Sequence, residues 1–101
     1  MNTITPQELK AKLDANENVH LLDVREPHEN AEFNIGGTLL PLGQIQTMQL
    51  DDIEDWRNEE VVVYCRSGMR SMQATMILQQ LGFSNVTNLT GGMVAWKENI
   101  N

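Results

Sequence analysis

An α/β fold, with a mainly parallel sheet covered by helices on both faces, is what this 101-residue sequence predicts. Three observations carry the prediction. Short apolar runs rich in valine and leucine, Val19–Val24, Val61–Tyr64 and Val86–Leu89, suit buried strands. Between them lie segments with helical spacing of apolar residues. Glycines punctuate the junctions, at Gly36-Gly37, Gly68, Gly82 and Gly91-Gly92.

The elements follow in order. Thr5-Pro6-Gln7-Glu8 starts a helix, because Thr5 can cap free amides, Pro6 suits the first turn and Glu8 completes a capping box. Leu9 and Leu13, four apart, give this helix a buried stripe. After the strand Val19–Val24, the segment His28–Phe33 reads as a short helix, and Thr38–Leu42 as a second extended piece. Residues Gly43–Trp56 mix Ile45, Met48 and Ile53 with Asp51, Asp52, Glu54 and Asp55, which predicts one helix or two short ones with a solvated acidic face. The clearest strand is Val61–Tyr64, β-branched and aromatic. A helix follows from Ser71, with Ala74, Ile77, Leu78 and Leu81 on one face and Gly82 as its stop. Val86–Leu89 is a further strand, and Met93–Asn99 a closing helix with Val94 and Trp96 for packing. In such sheets ligands collect at the carboxyl ends of the strands.

Composition bounds what the chain does. Residues 1–101 fit one domain, since a domain usually takes on the order of 100 residues. Seven basic against 14 acidic side chains give a net charge of −7, which opposes nucleic acid or an anionic membrane as the main partner. The start lacks the pattern of a signal peptide and no apolar run approaches a membrane span, so a cytoplasmic location is expected. A single cysteine, Cys65, allows no internal disulfide and no thiol-based zinc site. His20 and His28 lack metal-ligand spacing, and Gly91-Gly92 lacks a dinucleotide fingerprint, so neither a metal nor a cofactor is expected.

The chemistry concentrates in Cys65-Arg66-Ser67-Gly68-Met69-Arg70-Ser71, where the only cysteine stands between a buried strand and a helix. Amides of such a loop and of the first helical turn have no intrahelical acceptor and can point at an anion. Gly68 permits the curvature, Ser67 is small, and Arg66 and Arg70 add positive charge. These groups favour a thiolate at Cys65. Lowering the thiol by about two pKa units takes roughly 2.7 kcal/mol. A helix terminus alone offers only ~0.3–1 kcal/mol, so direct amide hydrogen bonds and the arginines must supply the rest.

Four segments together resemble the single-domain, rhodanese-like sulfurtransferases. Leu22-Asp23-Val24-Arg25-Glu26-Pro27 resembles the family's first signature, and Asn34-Ile35-Gly36-Gly37 is similar to its His-Ile-Pro-Gly segment, from which Asn34 and Gly36 depart. Cys65 through Ser71 resembles the active loop, and Leu89-Thr90-Gly91-Gly92 with Trp96 the closing motif. The resemblance implies a three-layer fold with a five-stranded parallel sheet. It also implies ping-pong transfer of sulfane sulfur through a persulfide on Cys65, from a thiosulfate-like donor to cyanide or a thiol. Four residues separate Cys65 from Arg70, one fewer than in cysteine-dependent phosphatases of related geometry, and the tighter ring suits sulfur rather than phosphate.

On this reading Cys65 is the nucleophile, and Arg66, Ser67, Gly68, Met69, Arg70 and Ser71 form the substrate-binding loop. Asp23, Arg25 and Glu26 support it, with a charge pair expected between one of them and Arg70. Two alternatives use the same chain differently. One is a persulfide carrier loaded and unloaded by protein partners; the other is a regulatory domain with an idle cysteine, disfavoured because Cys65, Gly68 and both arginines are all present.

Overall fold

The computed structural model describes residues 1–100. Its centre is a five-stranded sheet in the order β1-β5-β4-β2-β3, parallel at every pairing. The strands are β1 (Asn2–Ile4), β2 (His20–Asp23), β3 (Thr38–Leu39), β4 (Val61–Tyr64) and β5 (Val86–Leu89). The helices are α1 (Pro6–Asp14), α2 (Pro27–Glu32), α3 (Leu42–Gln46), α4 (Met69–Gln80) and α5 (Gly92–Asn99). The predicted α/β class with helices on both faces is therefore what forms.

Strand alternation explains how both faces are covered. In β4, Val61 and Val63 join a core with Leu22, Ile45, Ile53, Ala74 and Leu78, while Val62 and Tyr64 join another with Leu9, Leu89, Met93 and Trp96. The first core is covered by α3 and α4, the second by α1 and α5. A parallel strand buried on both sides has no polar face, which is why β4 reads as an unbroken apolar run. Cys65 continues the parity of Val61 and Val63, so its side chain falls in the core beneath α4.

Local signals set several boundaries. The capping box of α1 forms as expected: Glu8 N donates to Thr5 Oγ1 at 3.1 Å, and Thr5 N to Glu8 Oε1 at 2.9 Å. Residues 43–56 resolve into two short pieces, α3 and a 3₁₀ turn over Asp51–Trp56, parted by Met48 in a left-handed conformation (φ 61°). Three expectations shift. β1 was not anticipated; it pairs with β5 along the sheet's edge and buries only Ile4. β3 spans two residues rather than five, because Leu42 already begins α3. Helix α4 begins at Met69, two residues before the expected Ser71, with Gly68 in a left-handed conformation (φ 104°) immediately before it. No helix among the described residues is long and apolar enough to cross a membrane.

The topology fixes where a site forms. From β2 the chain moves outward to β3, then returns to the other side of β2 for β4 and continues away to β5. The loops leaving β2 and β4 therefore diverge across a crevice at their carboxyl ends, the switch point of an open parallel sheet.

Candidate active site

Cys65 leaves β4 at this crevice, with only 1% of its surface exposed. Its Sγ accepts hydrogen bonds from Gly68 N at 3.1 Å and Ser71 N at 3.4 Å. In the thiol form S–H donates to Ser71 Oγ at 3.3 Å, and the Ser71 hydroxyl donates to Asn88 Oδ1. Asn88 Nδ2 in turn donates to the Gly68 carbonyl at 3.3 Å, so one side chain of β5 braces both the serine and the loop. Burial pushes the Cys65 thiol up, but donation to the ionised sulfur, by the Ser71 hydroxyl turned from Asn88 to Sγ and by the Ser71, Gly68 and Ser67 amides, more than offsets it. The net result is a thiol below its ordinary value.

The amides face inward because the loop's carbonyls are held elsewhere. Met93 N donates to the Cys65 carbonyl and Val94 N to the Arg66 carbonyl, both at 2.9 Å. These are the free amides of the first turn of α5. Close approach is possible because residue 92 has no side chain: a Cβ there would lie 2.4 Å from the Cys65 carbonyl oxygen and 2.7 Å from Arg66 backbone atoms. The Gly91-Gly92 segment thus acts as the seat of the loop.

The charged residues sort differently from the sequence-based expectation. Arg70 pairs with neither Asp23, Arg25 nor Glu26; it forms a bidentate bridge to Glu29, at 2.7 and 2.9 Å. Asp23 is already committed, receiving Arg25 Nε at 2.9 Å, Arg25 Nη2 at 2.8 Å and Asn30 Nδ2 at 2.9 Å. Arg25 also donates to the Phe33 carbonyl at 2.6 Å and lies over the Tyr64 ring. Glu26 contributes through its backbone, whose amide donates to Glu29 Oε1 at 3.0 Å and so orients the partner of Arg70. Ser67, Met69 and Arg66 are exposed on the outer limb of the loop. Arg66 has no carboxylate partner among the described residues, and it lines a cavity of about 350 Å³ with Arg25, His28, Glu29, Glu32 and Phe33. His20 lies at the amino end of β2, stacked on Trp56 and remote from this crevice.

Three contributors escaped the sequence reading: Glu29, Asn88 and Gly92. Asn88 carried a usable signal, because a polar amide inside the four-residue buried run Val86–Leu89 needs a partner. Glu29 carried none, since its partner lies 41 positions away.

A cysteine whose sulfur faces backbone amides at the carboxyl edge of a parallel sheet belongs to a class of site built to favour negative charge at that sulfur. Comparison with known proteins then identifies the family. The family model for the rhodanese-like domain matches residues 5–99, and the chain belongs to that family. It is 40% identical over 97 residues to a protein of Allochromatium vinosum named "Sulfurtransferase", covering 95% of this chain and 88% of that one. It also matches the crystal structure of a rhodanese-like domain protein from Staphylococcus aureus, with a TM-score of 0.81 and 33% identity, covering 95% of this chain and 91% of the other. The adenylyltransferase and sulfurtransferase MOCS3 of Arabidopsis thaliana is 30% identical over 113 residues, and there the match spans 24% of a longer protein.

The Arg70–Glu29 bridge leads to a stability prediction. Hydrogen bonding by Arg70 draws the Glu29 carboxyl from an ordinary 4.5 down to about 2, against the opposing effect of burial. That shift corresponds to at most ~3.4 kcal/mol, reduced by solvent screening to about 1–2 kcal/mol. A depressed carboxylate stabilises the fold fully above about pH 4.5 and ceases to do so as pH falls towards 2. In urea unfolding at pH 7, Arg70→Met should be less stable by about 1–2 kcal/mol, and its decline on acidification should be shallower than that of the wild type.

Proposed function

We propose that the protein is a sulfurtransferase that carries sulfane sulfur from a thiosulfate-like donor, through a persulfide on Cys65, to cyanide or a thiol. The observation that carries this reading is the convergence of the Gly68 and Ser71 amides on Cys65 Sγ within a loop only four residues wider than its cysteine and arginine ends. Family membership and the name of the Allochromatium vinosum relative support the transfer of sulfur.

On this reading the transfer runs in two half-reactions. The Cys65 thiolate attacks the outer sulfur of thiosulfate. The new S–S bond forms as the original one breaks, and sulfite departs with its electron pair. An acceptor then attacks the outer sulfur of Cys65–S–S⁻, and Sγ recovers its electron pair as thiolate, again facing the two amides. Arg66, exposed and without a carboxylate partner, attracts the donor dianion. Arg70, held by Glu29, contributes fixed charge and anchors the first turn of α4. Neither a cofactor nor a metal enters this scheme. With one cysteine in the chain, the acceptor must come from outside it, as a small molecule or a protein.

Steady-state formation of thiocyanate from thiosulfate and cyanide tests the reading. Cys65→Ser should form none, and activity near that of the wild type would remove the nucleophile assignment. Fast wild-type turnover favours an enzyme, whereas sulfur uptake from a protein donor alone favours the carrier alternative. Arg66→Ala should raise the KM for thiosulfate several-fold with a smaller effect on kcat, and an unchanged KM would contradict its role in docking.

A further inference from the structure

We infer that Asn88 is a positioning residue for sulfur release: it holds the Ser71 hydroxyl away from Cys65 while Sγ is neutral and yields it when Sγ becomes an anion. The inference rests on the sulfurtransferase reading and adds a residue of β5 to its second half-reaction. Cys65, Ser71 and Asn88 meet between β4, β5 and the first turn of α4, with 1%, 0% and 7% of their surfaces exposed, so each finds its partner in the others.

The hydrogen bonds of this group have a fixed direction. The Gly68 carbonyl accepts Met72 N at 3.1 Å and Asn88 Nδ2 at 3.3 Å. With its nitrogen so directed, Asn88 turns Oδ1 towards Ser71, because the opposite amide orientation would set its oxygen against that of Gly68. Oδ1 can only accept, and it takes the Ser71 hydroxyl proton. The same hydroxyl lies 3.3 Å from Sγ, so one proton has two acceptors within reach and serves one at a time. A thiol or the inner sulfur of a persulfide is a weak acceptor, and Asn88 prevails over it. A thiolate carries full charge and prevails over Asn88.

The second half-reaction gains from this exchange. When cyanide or a thiolate attacks the outer sulfur of Cys65–S–S⁻, a bond forms between acceptor and outer sulfur, the bond to Sγ breaks, and its electron pair stays on Sγ. The Ser71 hydroxyl turns from Asn88 to the developing charge and keeps its proton. An interaction made to the departing sulfur and not to the persulfide lowers the barrier without tightening the resting state. On loading, Sγ gives its electron pair to the donor's outer sulfur and the hydroxyl returns to Asn88, in place for the next release. Among the described residues the surrounding charged groups, Arg66, Arg70 with Glu29, Glu26 and the Asp23–Arg25 pair, hydrogen-bond to neither Ser71 nor Asn88, so substitutions at these two positions leave them in place.

The test compares Ser71→Ala, Asn88→Val and the double variant, with Asn88→Ala alongside should valine not be accommodated. The pH midpoint of Cys65 alkylation by iodoacetamide is read first. Loss of the hydroxyl should move it up by about one pH unit, and loss of the competing carbonyl should move it down by up to about one. In the Ser71→Ala background the change at residue 88 should have no effect. Protein loaded with sulfur by inorganic polysulfide is then mixed with cyanide, and loss of the extra sulfur is followed by intact mass. Ser71→Ala should release sulfur roughly three- to tenfold more slowly than the wild type, and Asn88→Val should not be slowed. A midpoint that stays or rises in Asn88→Val would mark Asn88 as a brace of the loop alone and overturn the inference, as would a release rate untouched by Ser71→Ala. If thiosulfate fails to load the protein while the midpoints part in opposite directions and the polysulfide-loaded form behaves as stated, the donor assignment falls and the role of Asn88 stands.

Discussion

The structure depends on the direction in which a few peptide groups point. Between Cys65 and Ser71 the amides turn inward to the sulfur, so the carbonyls of Cys65 and Arg66 must turn outward and find donors. The first turn of α5 supplies them through Met93 and Val94. Two helix amino ends thus serve one loop: α4 offers an amide to the sulfur, and α5 offers amides to the carbonyls behind it. This division explains why a nearly sealed cysteine is ionised more easily than a free one. Burial without those amides would have the opposite effect.

The arginines follow the same economy of position. Arg70 stands at the start of α4 and is matched by Glu29 from α2, so its charge is fixed in place and largely compensated. Arg25 is used in holding the turn after β2, where it joins Asp23, the Phe33 carbonyl and the face of Tyr64. Arg66 is left for exchange with solvent and solutes. The acidic excess of the chain is therefore no obstacle to binding an anion at the crevice, because exposed carboxylates farther than about 8 Å are screened at physiological salt.

What was legible in the sequence was what neighbouring residues decide. The Thr5–Glu8 cap, the β-branched run of β4 and the contiguous loop from Cys65 to Ser71 announce themselves within a few positions. The rest depends on distant partners. Asn2–Ile4 becomes a strand because β5 offers it an edge, and three residues carry too little pattern to show that. Arg70 was expected to pair with Asp23, Arg25 or Glu26, and it pairs with none of them. Asp23 is unavailable because Arg25 and Asn30 fill it, and the helix beginning at Pro27 brings Glu29 forward instead. Gly92 was visible as a glycine, but not as the point where α5 meets the loop backbone.

The central claim, that the Ser71 hydroxyl and the inward amides bring the Cys65 thiol below its ordinary value despite burial, is tested most directly by the pH dependence of its alkylation by iodoacetamide. The rate should be followed in the folded protein and again in the same chain unfolded in urea. A midpoint displaced to lower pH in the folded protein is the result this structure predicts. A midpoint equal to or above that of the unfolded chain would show that burial prevails over the amides, and would contradict the account.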